Sequence, residues 1–188
     1  MKKDLGRING LYPMPVTIIG AEDDGKTNFI TVAHVGILNY AEPNYISAGM
    51  AKIHHTNSMI KNSGEFSVNI PSESQVIDTD YVGIISGKKA DKSRIFKTFK
   101  GKLDHAPMIE SCPVTMECRL YDIIDLPTHD VFIGEIVGTY AEESVVTRNG
   151  TIDIARVRPM LFEMGTRQYW SLGGPIAKCW DVGKKKVL

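Results

Sequence analysis

The sequence predicts a mainly β fold, a closed or nearly closed barrel decorated with short α-helices. Three observations carry that prediction. Segments rich in β-branched and aromatic residues recur, among them Val16–Ile19, Asn28–His34, Phe66–Ile70, Val114–Leu120 and Val131–Tyr140. Tight-turn dipeptides punctuate them, Asp24-Gly25 and Asn149-Gly150. Helical signals are confined to two short stretches, 56–64 and 72–86. With 188 residues, no internal repeat and no linker composition, the chain reads as one domain over 1–188.

Taken in order, residues 1–12 form a polar lead-in. Pro13-Met14-Pro15 restrains the backbone before Val16-Thr17-Ile18-Ile19, as a proline-started edge strand does. Glu22-Asp23-Asp24-Gly25-Lys26 is a hairpin turn from which the Asn28 strand returns. A proline-led strand follows from Pro43. Thr56 is a natural N-cap for a helix that Gly64 closes, and the Phe66–Ile70 strand comes next. Ser72 and Gln75 have capping-box spacing. Behind them Ile77, Tyr81, Ile84 and Ile85 recur at helical intervals and are expected in the core, with the helix stopping near Ser86-Gly87.

Lys88-Lys89-Ala90-Asp91-Lys92 makes a basic loop, Asp91 being able to cap a short turn through Phe96. Pro107 and Pro113 bracket a further loop. Val114–Leu120 alternates apolar and polar residues like a half-buried strand, with Cys118 on its apolar side. Asp125–Asp130 turns the chain into Val131–Tyr140. Met160–Met164 and the Tyr169-Trp170 segment supply the last strands.

Composition excludes several function classes. Lys plus Arg total 22 and Asp plus Glu total 22, so no basic excess suits nucleic acid. Lys184-Lys185-Lys186 is a solvated run. Three cysteines, Cys112, Cys118 and Cys179, make neither an even disulfide framework nor a metal pair. The N-terminus lacks the apolar run of a signal peptide, and no stretch reaches the roughly 20 apolar residues that span a bilayer. A cytoplasmic protein with no membrane partner is expected. Adjacent His54 and His55 would point apart on a strand and share no ligand-like spacing with a carboxylate or cysteine, so no metal site is expected. Neither GxGxxG nor a P-loop occurs.

One stretch points to a ligand. Strands of small polar residues feed the helix opened by Thr56, beside Lys52, His54 and His55. Free N–H groups of a first helical turn together with nearby cations make an anion site.

This stretch, and most of the chain with it, resembles the flavin reductase-like family, in particular its flavoredoxin-like branch. The matching pieces are Asn28 with Thr31-Val32-Ala33, the strand from Pro43, Thr56 opening a helix, and Gly64-Glu65-Phe66-Ser67-Val68-Asn69. Gly83-Ile84-Ile85-Ser86-Gly87 with Asp91-Lys92, and Thr128-His129-Asp130-Val131-Phe132-Ile133-Gly134-Glu135, continue the likeness.

The resemblance implies a Greek-key split β-barrel that binds FMN as a homodimer and takes hydride from NAD(P)H. Electrons would pass to free flavin, ferric iron or a redox partner protein. The alternative it carries is an FMN electron-transfer protein that turns over no nucleotide. It also implies roles for residues. Thr56, with Lys52 and His55, would hold the phosphate; without the resemblance Thr56 is a plain helix cap.

Ring contacts would come from Asn28, Thr31, Val32, Ala33 and His34 on one strand and Ser47, Ala48, Gly49 and Met50 on another. Small residues there let a flat ring approach the main chain. Family members often carry serine where Ala33 stands, and His34 is unusual there; His34 is a ring or substrate contact, or a core or interface histidine. Ser86, Lys88 and Lys92 lie in the Ser-Gly and Asp-Lys segment, where Lys92 either reaches the flavin or is a loop lysine. His129 would position the nucleotide or donate a proton, or else serve a turn. Trp170, with Tyr169, would cover the flavin or be buried in the core or a subunit interface.

Overall fold

Asp24 and Gly25 both take positive φ, 49° and 69°, which is the turn their dipeptide predicts and which sends the chain back on itself. In the computed structural model, which describes residues 1–186, this hairpin joins β2 (Thr17–Asp23) to β3 (Lys26–Val32) after a two-residue β1 (Met14–Pro15). Residues 187 and 188, the end of the expected domain, lie outside the described part. The chain continues through β4 (Val35–Asn39), β5 (Tyr45–Ala51), α1 (His55–Ser63) and β6 (Glu65–Ile70). Next come α2 (Val76–Ile84), β7 (Thr98–Phe99), β8 (Met108–Ile109), β9 (Val114–Asp125) and β10 (His129–Ala141). It finishes with α3 (Ile154–Val157), β11 (Met160–Glu163) and β12 (Gln168–Ser171).

The large sheet is antiparallel, in the order β3-β2-β6-β9-β10-β5-β4. It curls until its two ends meet. Ala33 and His34 link β3 to β4, and the His34 carbonyl accepts the Gly49 N–H of β5 at 2.8 Å, which nearly closes a barrel. Phe66, Val68, Cys118, Phe132, Ile19 and Ile46 fill the interior, and Met59 and Ile60 of α1 plug one end. Fully burying an aromatic such as Phe66 or Phe132 contributes roughly 1.5–3 kcal/mol. A second cluster, Ile18, Phe29, Val82, Phe96, Ile109 and Cys112, binds α2 and the 95–112 segment to the outside of β2 and β3. The β11–β12 hairpin pairs with the edge strand β1 beside the barrel mouth.

Several expectations are met. Gly64 stands in the left-handed region at φ 71° and donates to the Ile60 carbonyl, ending α1. Ser72 and Gln75 form the reciprocal capping box. Cys118 is a core thiol, its acidity strongly suppressed by burial, and burial pushes the Cys112 thiol up to about 12.

Three expectations need correction. His54, not Thr56, is the N-cap of α1; Thr56 is fully buried, and its hydroxyl accepts from Asn28 Nδ2 at 2.8 Å. The turn begins earlier because the His54 N–H is taken by the Ala51 carbonyl at 3.1 Å. On α2 the inward face is Thr79 and Val82, while Ile77, Tyr81 and Ile84 are exposed. The helix lies flat on β3, so close that a Cβ on Gly83 would come within 3.1 Å of Thr31 Cβ, and that contact fixes which face turns in. Finally, β9 does not alternate as expected: Val114–Cys118 is covered on both faces, whereas the strand from Arg119 onward is largely exposed. Glu117 is 0% exposed, its carboxylate accepting the Lys102 and Leu103 N–H groups and the Tyr140 hydroxyl. A carboxylate with three donors sits stably in a buried strand.

Candidate functional site

Where the barrel nearly closes, the end of β3, the end of β5, α2 and the β11–β12 hairpin leave a slot of about 330 Å³. Its floor is small and backbone-rich, with Ala33 and Gly49, and its rim carries Phe162 and Tyr169. A second hollow of about 260 Å³ continues from it, sharing His54, Gly83 and Ile84, and reaches the start of α1. A third, of about 480 Å³, runs on beneath the 86–93 loop and shares Asn28, His55, Gly87 and Lys92 with the second. The three make one groove, flat at one end and cationic at the other.

The cationic end is built from α1. His54 makes no side-chain capping bond, so the N–H groups of His55 and Thr56 and the positive end of the helix dipole are available to an anion. The Asn57 N–H is taken by the His54 carbonyl at 3.3 Å. Ser86 and His55 border this hollow, Lys88 and Lys89 the next. Lys92 is 2% exposed; its ammonium donates to the carbonyls of Phe29 at 2.9 Å and Val82 at 2.7 Å, and burial lowers its pKa to about 8. The 86–88 turn presses on β3 so closely that a Cβ on Gly87 would lie 2.4 Å from Asn28 Oδ1.

At the flat end three aromatic rings gather, a phenol and two imidazoles. Tyr12 Oη and His34 Nε2 are 3.1 Å apart, and the His34 and His129 rings lie 5.9 Å apart. His129 Nδ1 is bonded to the Thr128 hydroxyl at 2.9 Å, which leaves its Nε2 for the slot. Burial, then His129, holds His34 below the usual histidine range; burial, then Lys92 and His129, does the same for His54. Both are therefore neutral near pH 7. Across the slot the Tyr169 hydroxyl donates to Asp80 at 2.9 Å, and burial followed by Asp80 raises its pKa.

The groove thus brings together most of the residues the sequence singles out. Thr31, Val32, Ala33, His34, Gly49, Met50 and His129 line the slot; Asn28, His55, Thr56, Ser86 and Lys92 line the hollow at α1; Lys88 borders the third. One of these is committed elsewhere, the Thr31 hydroxyl donating to the Thr79 carbonyl; the Thr56 oxygen accepts from Asn28, which leaves its O–H to donate. His129 opens strand β10 opposite Ala51, and its carbonyl accepts the Leu126 N–H at 3.0 Å across the preceding turn.

Four do not line the groove. Ser47 donates to the Gly36 carbonyl at 3.2 Å, and Ala48 faces the barrel core. Lys52 is paired with Asp125 and lies 3.9 Å from Asp130, over a neighbouring hollow. Trp170 is 54% exposed, because strand alternation turns Tyr169 into the slot and its neighbour out.

Sequence reasoning passed over Asp80, Phe162 and the lining role of His54. Strand parity flags Phe162, which pairs directly with Tyr169, whereas Asp80 carries no local signal.

Comparison with known proteins agrees with this geometry. The model of the flavin reductase like domain matches residues 9–171. The crystal structure of flavoredoxin from Methanosarcina acetivorans superposes with a TM-score of 0.91 at 38% identity, covering 97% of this chain and 98% of that one. Flavoredoxin of Desulfovibrio vulgaris (Miyazaki F) gives 0.89 at 33% identity over 97% and 100%. Nitrilotriacetate monooxygenase component B from Bacillus cereus shares the fold, with a TM-score of 0.80 at 21% identity over 94% of this chain and 100% of that one. A protein of Archaeoglobus fulgidus is 30% identical over 131 residues, 68% of this chain and 72% of its own.

Proposed function

The chain belongs to the flavin reductase-like family, a mainly β split barrel, and on that premise we propose that it is an FMN-binding flavoprotein acting as an NAD(P)H-dependent flavin or ferric reductase. The observation that carries the proposal is the continuous groove from a flat slot to an uncapped helix start. A tricyclic ring, a polyol chain and a terminal phosphate need that sequence of environments.

The residues present fit the group. Ala33 and Gly49 keep the slot floor low, and Ile84 and Phe162 offer apolar walls. The first turn of α1, His55 and Ser86 supply donors for a phosphate, with Lys88 adding charge and Lys92 a buried cation behind it. FMN, when bound, supplies redox chemistry that no side chain of the groove has. The chain's own residues position and exclude water: Tyr169 and Asp80 hold one wall, and His129 turns Nε2 toward the slot, where it can orient a nicotinamide or hold a proton.

Likeness to two flavoredoxins at 38% and 33% identity favours a second reading, an FMN electron carrier that meets another protein. Anaerobic addition of NADH or NADPH to the flavin-loaded protein separates the two. The reductase reading expects bleaching of the flavin absorbance within seconds, slowed by His129→Ala without loss of flavin. Bleaching only by a low-potential protein donor makes the chain a carrier. Free flavin, ferric iron or a redox partner protein would accept the electrons.

A homodimer completes the proposal. A separate apolar hollow of about 590 Å³, lined by Val35, Ile37, Ile46, Val68, Ile136 and Ile152, opens on the surface. Leu172, Ile176 and Trp180 of the C-terminal segment stand exposed as well. Apolar surface of that extent suits a second copy of the chain.

A further inference from the structure

The mouth of the slot is chemically unlike the rest of the groove. Among its lining residues Asp80 alone carries a fixed charge, a negative one already bonded by Tyr169. His34 and His54, held below the usual histidine range by burial, are neutral near pH 7. What faces incoming molecules is the Tyr12–His34 pair and the free Nε2 of His129, backed by an aromatic wall. Tyr12 meets Phe162 edge-on, with centroids 6.2 Å apart at 83°, and Phe162 leans on Tyr169 at 6.0 Å.

Tyr12 comes from the lead-in, far from the other members in sequence, and nothing local marks it. It is half-buried, whereas His34 is exposed at the open end, so the pair can be reached from outside.

We propose that Tyr12, His34 and His129 form a clamp for the oxygen of an uncharged, planar, conjugated carbonyl compound of the quinone or aromatic-ketone class, which would be the acceptor this protein serves. With His34 Nε2–H donating to Tyr12 Oη, the tyrosine O–H is free to donate. With Thr128 donating to His129 Nδ1, the His129 Nε2–H supplies a second donor. The two suit a carbonyl oxygen, which accepts hydrogen bonds and carries no charge to balance. A carboxylate or phosphate of the same outline would enter beside Asp80 with no cation to meet it, so the mouth selects against anions. Aromatic edges and faces around the slot favour a flat conjugated partner. The inference rests on the flavin reading for its biological sense, but the clamp is a property of these side chains alone.

Calorimetric titration with two molecules of the same shape tests it: acetophenone, which is uncharged, and benzoate, which is anionic. The wild-type protein, with and without FMN, is to be compared with Tyr12→Phe and His34→Leu. Acetophenone should bind at least tenfold more tightly than benzoate. Tyr12→Phe should weaken acetophenone about fivefold and His34→Leu about tenfold, while FMN affinity in Tyr12→Phe stays within twofold of wild type, which reports an intact fold. Equal affinities for the two probes, no acetophenone binding to the wild type, or unchanged acetophenone binding in both variants would overturn the clamp. A chain that takes up no FMN yet still prefers acetophenone keeps the clamp and overturns the flavin reading instead.

Discussion

Lys92 buries an ammonium group against two carbonyl oxygens, those of Phe29 and Val82. Their dipoles offset part of the lost hydration, but not all of it, and the pKa falls to about 8. The consequence for stability has a definite sign. An unfolded lysine titrates near 10.4, so between about pH 8 and that value the unfolded chain binds the extra proton. Stability contributed by this residue therefore rises with pH across that window, by up to about 3 kcal/mol, and is flat below it. Chemical unfolding of wild type and Lys92→Met at pH 7 and pH 10 measures the effect. Methionine, which keeps the stem and drops the charge, should gain on wild type at pH 7 and lose that relative gain by pH 10. A difference between the two proteins that does not change with pH contradicts the account. Glu117 shows the opposite solution: a buried charge with three donors pinning the 101–103 turn to β9 and β10.

Elements explain why the sequence is legible in some places and opaque in others. The β2–β3 hairpin, the C-terminus of α1 and the capping box ahead of α2 are set by interactions within a few residues, and each stands where its local signal places it. Burial faces are another matter. On α2 the apolar stripe turns away from the core, Ile77 and Tyr81 to solvent and Ile84 to the open groove, because packing on β3 demands a thin contact at Gly83 and Thr79. On β9 an acidic residue lies inside because backbone donors from a loop 15 residues earlier converge on it. Tertiary geometry decides both, and no window of sequence contains it. The same limit divides the candidate site. The strand and helix segments that meet at the groove are readable in order, yet the parity that separates Tyr169 from Trp170 and Gly49 from Ala48 depends on register. Tyr12 meets His34, and Asp80 meets Tyr169, only through the folded chain.

At the scale of the molecule, barrel closure at His34 and the uncapped start of α1 are two ends of one groove, and the apolar hollow beside β4 and β5 is a separate surface. A stable homodimer built on that surface would bury about 2,000 Å² or more. Light scattering at micromolar concentration should report twice the chain's 20.8 kDa mass, and Ile37→Lys should shift it toward the single chain; a wild-type monomer carrying flavin would refute the dimer. The central claim, however, is that the groove is a phosphate-bearing flavin site with α1 as its anchor. Flavin-free protein titrated with FMN and with riboflavin, which share the ring and polyol and differ by the phosphate, tests it directly. One FMN per chain, bound at least about tenfold more tightly than riboflavin, is the predicted result, since charge-assisted bonds at a helix start are worth more than about 1.4 kcal/mol together. Equal affinity for the two, or uptake of neither, would contradict it.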